Sequence, residues 1–489
     1  MPEKTVYSKK DWLSAALVSL FVLLVAICYV TKGVSDWGDD FAAYISEGIA
    51  IADGSFEEQI RINYQYHPSE LPDEANNGTL VYVWGYPLII AIIYKIVGFD
   101  FNSIIWYKIP LLLSLSLTGG TLFLFFRRRF SLLVAVFLTL MFCMSGNLVE
   151  DVNRLLSDLP FLFLTMLTLL LMECYAQSGT LWQGVLFGAV MWLSYETRLS
   201  GFTVCGVALI GHVIRKKKQI ISQLVPYLIL VVLVFISEHL WLAPATPNLS
   251  DLKETSIGFP EYAEMIYRYL EGLTKLHLNW PGFLFAAVCV LGIVVKGFGE
   301  NTHLTVLLAG TLIVDSALPY KQGLRYLYPI LPIILMYIMY GFEFLGALLR
   351  KRIDQKHYKW IETGAGVLAT IMLYLSCGSY VYTAVGKLQH WGDILDTDVY
   401  SEEAISTYRF IQHKVSTDKT IAFFKPRALY LNTERMSFRP GYNGHELKNA
   451  DYYLRYKIRA DESEKNSTAD INMEAVMDNS AFTLFEIKK

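Results

Sequence analysis

The feature that most constrains this chain is a series of apolar runs, each near the length of a bilayer core. Leu13–Val30 is the first. Ile104–Phe126, Ser131–Leu148, Pro160–Cys174, Leu181–Tyr195, Gly201–Ile214, Leu224–Leu242, Gly282–Val295, Leu304–Leu318, Tyr328–Leu349 and Ile361–Val381 follow. A helix needs about 20 mostly apolar residues to cross the hydrocarbon layer, where every backbone polar group must be paired within the segment. The chain therefore reads as an α-helical polytopic membrane protein with about eleven spans. Composition agrees: 54% of the 489 residues are hydrophobic and 18% charged, against about 25% charged in soluble domains. The six cysteines all fall inside apolar runs without metal-ligand spacing, so neither a disulfide framework nor a zinc site is expected.

Basic clusters orient the spans. Lys4, Lys9 and Lys10 precede the first run, and Arg127–Arg129, Arg215–Lys218 and Arg350–Arg352 follow later ones. Excess Lys and Arg marks cytoplasmic loops. All clusters fall inside if "VYVWGYPLIIAIIYKIVG", residues 81–98, lies along the outer interface instead of spanning. This arrangement puts the N-terminus inside and the C-terminus outside. The outer loops are then 32–103 and 243–281. Residues 1–382 form the membrane module, and 383–489 an extracytoplasmic α/β domain. In that tail Ser401 is a candidate N-cap for "EEAISTYRFIQHKV", and "TIAFF", "DYYLRY" and "FTLFEI" read as strands. No internal repeat is present.

Charge beside the outer ends of spans is where chemistry is sought. In "DDFAAYISE", Asp40, Tyr44 and Glu47 stand at i, i+4 and i+7 on one helical face, with Asp39 adjacent and Gly54 as the helix stop. That face reads equally well as a solvated surface. In "EDVNRLLSDLP", Asp151, Arg154 and Asp158 fall near one face, with Arg154 and Asp158 at ion-pair spacing. Asp158 sits where an ionisable group is costly unless paired or used. "SYETRLSG" carries Glu196 and Arg198, which also read as a mutual surface pair. "DSALPYKQGLRYLYPILP" carries Asp315, Lys321 and Arg325. Two cations at a membrane surface suit a lipid phosphate, with Arg adding bidentate geometry. Glu238 and His239 either join this site or cap a helix. Asp396-Thr397-Asp398 has the form of a metal-binding DxD, but it precedes a helix start without a nucleotide-binding unit around it. The Gly-rich nucleotide signatures are absent from the sequence, so an outward-facing transferase would need a donor already in the membrane. No nucleic-acid partner is expected.

These pieces together resemble the GT-C glycosyltransferases, in particular the protein-mannosyltransferase and aminoarabinose-transferase (family 39-like) branch. The motifs that carry the resemblance are "DFAAY", "WGYPLIIAIIYKIVG", "SDLP", "ETRLSG" and "LRYLYPILP" in order, then "TIAFFKPRALYLNTERMSFRP" and "DYYL". The resemblance implies a multi-pass plasma (inner) membrane enzyme that moves a sugar from a polyprenyl-phosphate carrier to an acceptor hydroxyl, with inversion. The acceptor is a glycan, lipid or protein. Asp40 takes the position of the family's catalytic acid and Asp158 that of a second acid; Asp39 tunes the base, and Tyr44, Glu47, Asp151 and Glu238 support it. Where many relatives have Asp-Glu, this chain has Asp40-Phe41, so no role passes to that Glu. Tyr86-Pro87 stands near the aminoarabinose enzymes' Lys-Pro, so donor-phosphate binding falls to Arg325, then Lys321 and Arg198. No cofactor is required by this chemistry, which also accommodates a divalent cation. A flippase for lipid-linked saccharides or a non-catalytic assembly subunit is the rival expectation.

Overall fold

The computed structural model describes residues 7–34, 37–56, 58–59, 61–62, 82–216, 223–238, 259–272, 280–317, 323–389, 394, 398–440, 447–459 and 471–488. Helix α1 (Lys9–Cys28) begins in a capping box: Ser8 accepts from the Asp11 amide, and Asp11 accepts from the Ser8 amide at 2.7 Å. Its Val18, Val22 and Val25 are buried, whereas Leu13, Leu17, Leu20 and Leu24 are exposed at helical spacing. An outward face of leucines suits lipid, since bilayer tails are as apolar as the side chain. Along the chain follow α2 (Asp40–Asp53), α3 (Gly85–Val97), α4 (Ile109–Arg127), α5 (Leu132–Cys143), α6 (Gly146–Glu150), α7 (Asp158–Ser178), α8 (Leu181–Thr197), α9 (Gly201–Lys216) and α10 (Val225–Ile236). Then come α11 (Phe259–Gly272), α12 (Trp280–Lys296), α13 (Thr302–Ala317), α14 (Leu331–Arg352), α15 (Gln355–Leu373) and α16 (Ser379–Gln389).

Among the described residues four helices are long and apolar enough to cross a membrane: Lys9–Cys28, Ile104–Arg127, Asp158–Ser178 and Leu331–Arg352. Two bent pairs, broken by 60° after Cys143 and by 114° after Lys296, raise this to six if each is one span. Other runs expected to span stand in shorter apolar helices, Gly201–Arg215 and Val225–Ile236. Helix α3 is too short to cross at 13 residues, as an interfacial segment should be. It lies against α2, with Tyr86 and Ile90 buried and Ile92 and Ile96 exposed. The tightest helix pair is α12 with α14. A Cβ on Gly292 would come within 1.8 Å of the Tyr337 carbonyl oxygen, and one on Gly341 within 2.2 Å of the Val288 carbonyl oxygen. Such glycines let membrane helices approach backbone to backbone.

The polar tail forms a five-stranded sheet in the order β2-β1-β3-β5-β4, from β1 (Ile421–Ala422), β2 (Ser437–Phe438), β3 (Tyr452–Tyr456), β4 (Met473–Asp478) and β5 (Phe482–Ile487). Helices α17 (Glu402–Lys414) and α18 (Pro426–Thr433) pack with it. Ser401 caps α17 through the Ala404 amide. None of the six cysteines is in a disulfide.

Candidate active site

Two helices start with an acid at one end of the membrane module. Asp40 opens α2 and Asp158 opens α7, each in a first turn where unpaired amides and the helix dipole favour negative charge. Gly54, left-handed at φ 72°, ends α2. Pro160 occupies the first turn of α7, where a missing N–H costs nothing. Arg325 is carried on the single turn Leu324–Leu327 that leads into α14, and Arg198 caps the end of α8.

The four charges alternate in space. Asp40 lies 3.6 Å from Arg325, Arg325 lies 3.9 Å from Asp158, and Asp158 is bound by Arg198 at 2.6 Å. The last is a charge-assisted hydrogen bond of full strength; the first two are longer than such bonds run. Asp158 is buried, whereas the Asp40 side chain is 41% exposed. Asp40 and Arg325 face a cavity of about 420 Å³, which Glu150, Asp151, Arg154 and Tyr328 also line. The Tyr326 ring stands 4.6 Å from the Arg198 guanidinium and 5.7 Å from that of Arg325, so cation–π attraction helps to hold both.

The supporting residues are placed as follows. The Tyr44 hydroxyl bonds Ser157 Oγ at 2.8 Å, tying α2 to the start of α7, and its ring stacks on Tyr82 at 4.1 Å. Glu47 is wholly buried and accepts from the Tyr82 amide at 3.4 Å. The solvated-face reading of α2 is thereby overturned: Tyr44 and Glu47 point into the protein because α3 covers that side. Asp39 turns the other way and accepts from the Ala428 amide of α18 at 3.2 Å. Burial holds its carboxyl above the ordinary range, while Arg427 and Lys425 pull it back. Asp151, in the connection before α7, accepts from the Tyr328 hydroxyl and pairs with Arg154 at 3.1 Å. Burial pushes its carboxyl up to about 6, against the Tyr328 bond and Arg154.

Several pairings differ from the sequence reading. Arg154 pairs with Asp151 and not Asp158, because the chain leaves the helix at Arg154 (φ −92°, ψ 111°), which breaks the i, i+4 geometry. Glu196 and Arg198 are no surface pair: Glu196 accepts from Ser237 Oγ at 2.6 Å and Arg198 turns to Asp158. Glu238 accepts from the Tyr195 hydroxyl and does not line the cavity. Asp398 of the DxD-like triplet accepts from the Val34 and Tyr400 amides, which is loop architecture. Lys321 and His239 lie outside the described residues. Among those residues no three His, Cys, Asp or Glu side chains gather as metal ligands.

Sequence reasoning missed Lys108. Its buried ammonium donates to the Thr31 carbonyl at 2.7 Å and to Asn153 Oδ1 at 2.9 Å, pinning the Asp151 turn beside the loop before α2. A lysine four residues into an apolar run was the available signal. Tyr82 was missed too; it stands among so many tyrosines in this chain that nothing marks it.

Solved structures share this architecture. ArnT from Cupriavidus metallidurans bound to undecaprenyl phosphate aligns over 98% of both chains with TM-score 0.60 and 12% identity. Its apo form aligns over 97% of both with TM-score 0.53 and 13% identity. The oligosaccharyltransferase AglB from Archaeoglobus fulgidus, in complex with an inhibitory peptide and a dolichol-phosphate, covers 92% of this chain and 70% of its own, with TM-score 0.57 and 9% identity. No family model and no curated protein matches the sequence.

Proposed function

From the GT-C fold that this chain shares with both solved neighbours, we propose that it is a membrane glycosyltransferase. In this reading it moves a sugar from a polyprenyl-phosphate carrier to an acceptor hydroxyl, with inversion. The observation that carries it is the meeting of Asp40 and Arg325 on one cavity. The carrier phosphate displaces the long Asp40–Arg325 contact and is held by Arg325, with Arg198 behind it. Asp158 keeps both guanidiniums in place. The acceptor oxygen attacks the anomeric carbon on the face opposite phosphate as the bond from that carbon to the phosphate oxygen breaks. The acceptor proton passes to the Asp40 carboxylate, and the polyprenyl phosphate leaves with its added charge on the two arginines. Bond making and breaking balance without a redox partner, so no cofactor is required. Lys321 belongs to the donor site in this scheme, and Asp39, Tyr44, Glu47 and Asp151 to its frame.

In this reading the protein stands in the plasma (inner) membrane with about eleven spans, its N-terminus cytoplasmic and residues 383–489 outside. The acceptor class, whether glycan, lipid or protein, is left to experiment. Mass spectrometry of lipid-linked sugars and their acceptors, in membranes with and without the protein, identifies the product. Asp40→Asn then lowers its formation by about a hundredfold or more, the span of a general base. Near-normal transfer by that variant would refute catalysis and leave the flippase or assembly-subunit reading.

A further inference from the structure

The stretch that leads into the candidate base is held by the C-terminal domain at successive points. The Val34 amide donates to Asp398 Oδ1 at 3.2 Å. The Trp37 ring sits in an aromatic box from three segments of that domain, 5.4 Å from Phe424, 5.2 Å from Tyr456 and 5.8 Å from Phe482. Asp39 accepts from the Ala428 amide, in the first turn of α18, and Phe41 meets Tyr400 edge-on at 6.3 Å. Trp37 and Phe41 are both buried. Asp40 is thus flanked on both sides by residues embedded in the C-terminal domain, and its helix lacks a side-chain cap of its own.

We propose that the C-terminal domain is a working part of the transfer site, with Asp39, through α18, and Trp37, through its aromatic box, as positioning residues that aim Asp40 at the cavity. Asp39 spends its carboxylate on an amide 389 residues away instead of capping α2. The Ala428 N–H is one of the amides that a helix start leaves without an intrahelical partner, so the bond satisfies α18 while anchoring α2. A base shifted by about 1 Å loses much of its rate without any loss of donor binding, and the phosphate-facing arginines sit on other elements. The inference rests on the transferase reading for its consequence, but not for its geometry.

The test uses the full chain in nanodiscs. Ala428→Pro deletes the donor N–H in the first turn of α18 and leaves the sequence of α2 and of the membrane module unchanged. Asp39→Ala deletes the acceptor from the other side, while Asp39→Asn keeps an acceptor oxygen. We expect the first two to slow sugar transfer about tenfold each, the double variant to be no slower than either, and Asp39→Asn to stay near wild type. Retention of undecaprenyl phosphate, the binding probe, stays unchanged. Amides 40–47 exchange hydrogen faster, while β3 and β5 keep their protection. Wild-type turnover and exchange in both Ala428→Pro and Asp39→Ala, or additive losses in the double variant, would overturn the proposal. If the wild-type chain transfers no sugar at all, the functional reading falls, and the exchange of 40–47 still decides whether the domain holds the helix.

Discussion

Arg325 makes two contacts of 3.6 and 3.9 Å to carboxylates on different helices, while Arg198 makes one of 2.6 Å. Arg325 also lines the cavity, whereas Arg198 stands behind it, so Arg325 is the guanidinium that an entering phosphate meets first. Arg325→Gln should therefore weaken undecaprenyl-phosphate retention by about tenfold to a hundredfold, and Arg325→Lys by less, since charge remains but the fork is lost. Retention at wild-type strength in Arg325→Gln would move the phosphate elsewhere. Asp151 supports a second prediction, through its pH dependence. Its carboxyl is raised from 3.8 to about 6 in the folded protein. Between those values the folded state keeps a proton that the unfolded chain has released, so stability falls as pH rises through the window. The change is on the order of 3 kcal/mol in all. Thermal unfolding in detergent from pH 4 to 7 should show this decline, and Asp151→Asn should flatten it. At this scale the sequence was readable for Asp40, Asp158, Arg198 and Arg325, because an ion beside an apolar run has to be used or paired. Their partners were not readable. Helical spacing assigned Arg154 to Asp158, and only the extended backbone at Arg154 undoes that assignment.

Elements show the same division between what local pattern carries and what packing decides. Arg127–Arg129 reads from the sequence as a loop cluster that marks one side of the membrane. In the structure Arg128 and Arg129 are buried and close on Glu173 of α7, which Arg215 of α9 also reaches at 3.4 Å. Arg127 instead pairs with Asp11 of α1 at 2.8 Å. The cluster is therefore a clamp joining α1, α4, α7 and α9 at the end opposite Asp40. Removing the carboxylate that Arg128, Arg129 and Arg215 share in so buried a set costs about 3 to 5 kcal/mol. Glu173→Gln should lower the midpoint of thermal unfolding sharply while the proposed phosphate site, at the other end of α7, keeps its affinity for undecaprenyl phosphate in whatever fraction folds. A midpoint like that of wild type would mean the charges are relieved by solvent or lipid. The strands were legible by composition in β3 and β5, and α17 by its serine cap. Strand β1 shrank to two residues, however, since its pairing is set by short parallel contacts with β2 and β3 that no local pattern records.

At the scale of the whole molecule, the charges sort to two ends. Asp11 meets Arg127 and Glu173 meets Arg128 and Arg129 at one end. Asp158, the first residue of the same helix that carries Glu173, meets Arg198 at the other, where Asp40, Arg325 and the C-terminal domain also lie. The order of motifs along the chain was enough to anticipate this division, because alternating spans must return the chain to alternate faces. How many spans there are was not, because a bend of 60° after Cys143 divides Ser131–Leu148, which reads as one apolar run, and other runs stand in helices shorter than a span. The charge rule assigns the arginine-rich end to the cytoplasm, and this assignment can be measured. A cysteine placed at Gln355, exposed just after Arg350–Arg352, should react with a membrane-impermeant maleimide only after the cells are opened. One at Thr417, exposed in the C-terminal domain, should react in intact cells. The native cysteines lie in the apolar helices, so background labelling is small. Reversal of the two patterns would put the cavity on the cytoplasmic face, where nucleotide-activated sugars are at hand. A lipid-carried donor would then have no physical advantage over a nucleotide-activated one.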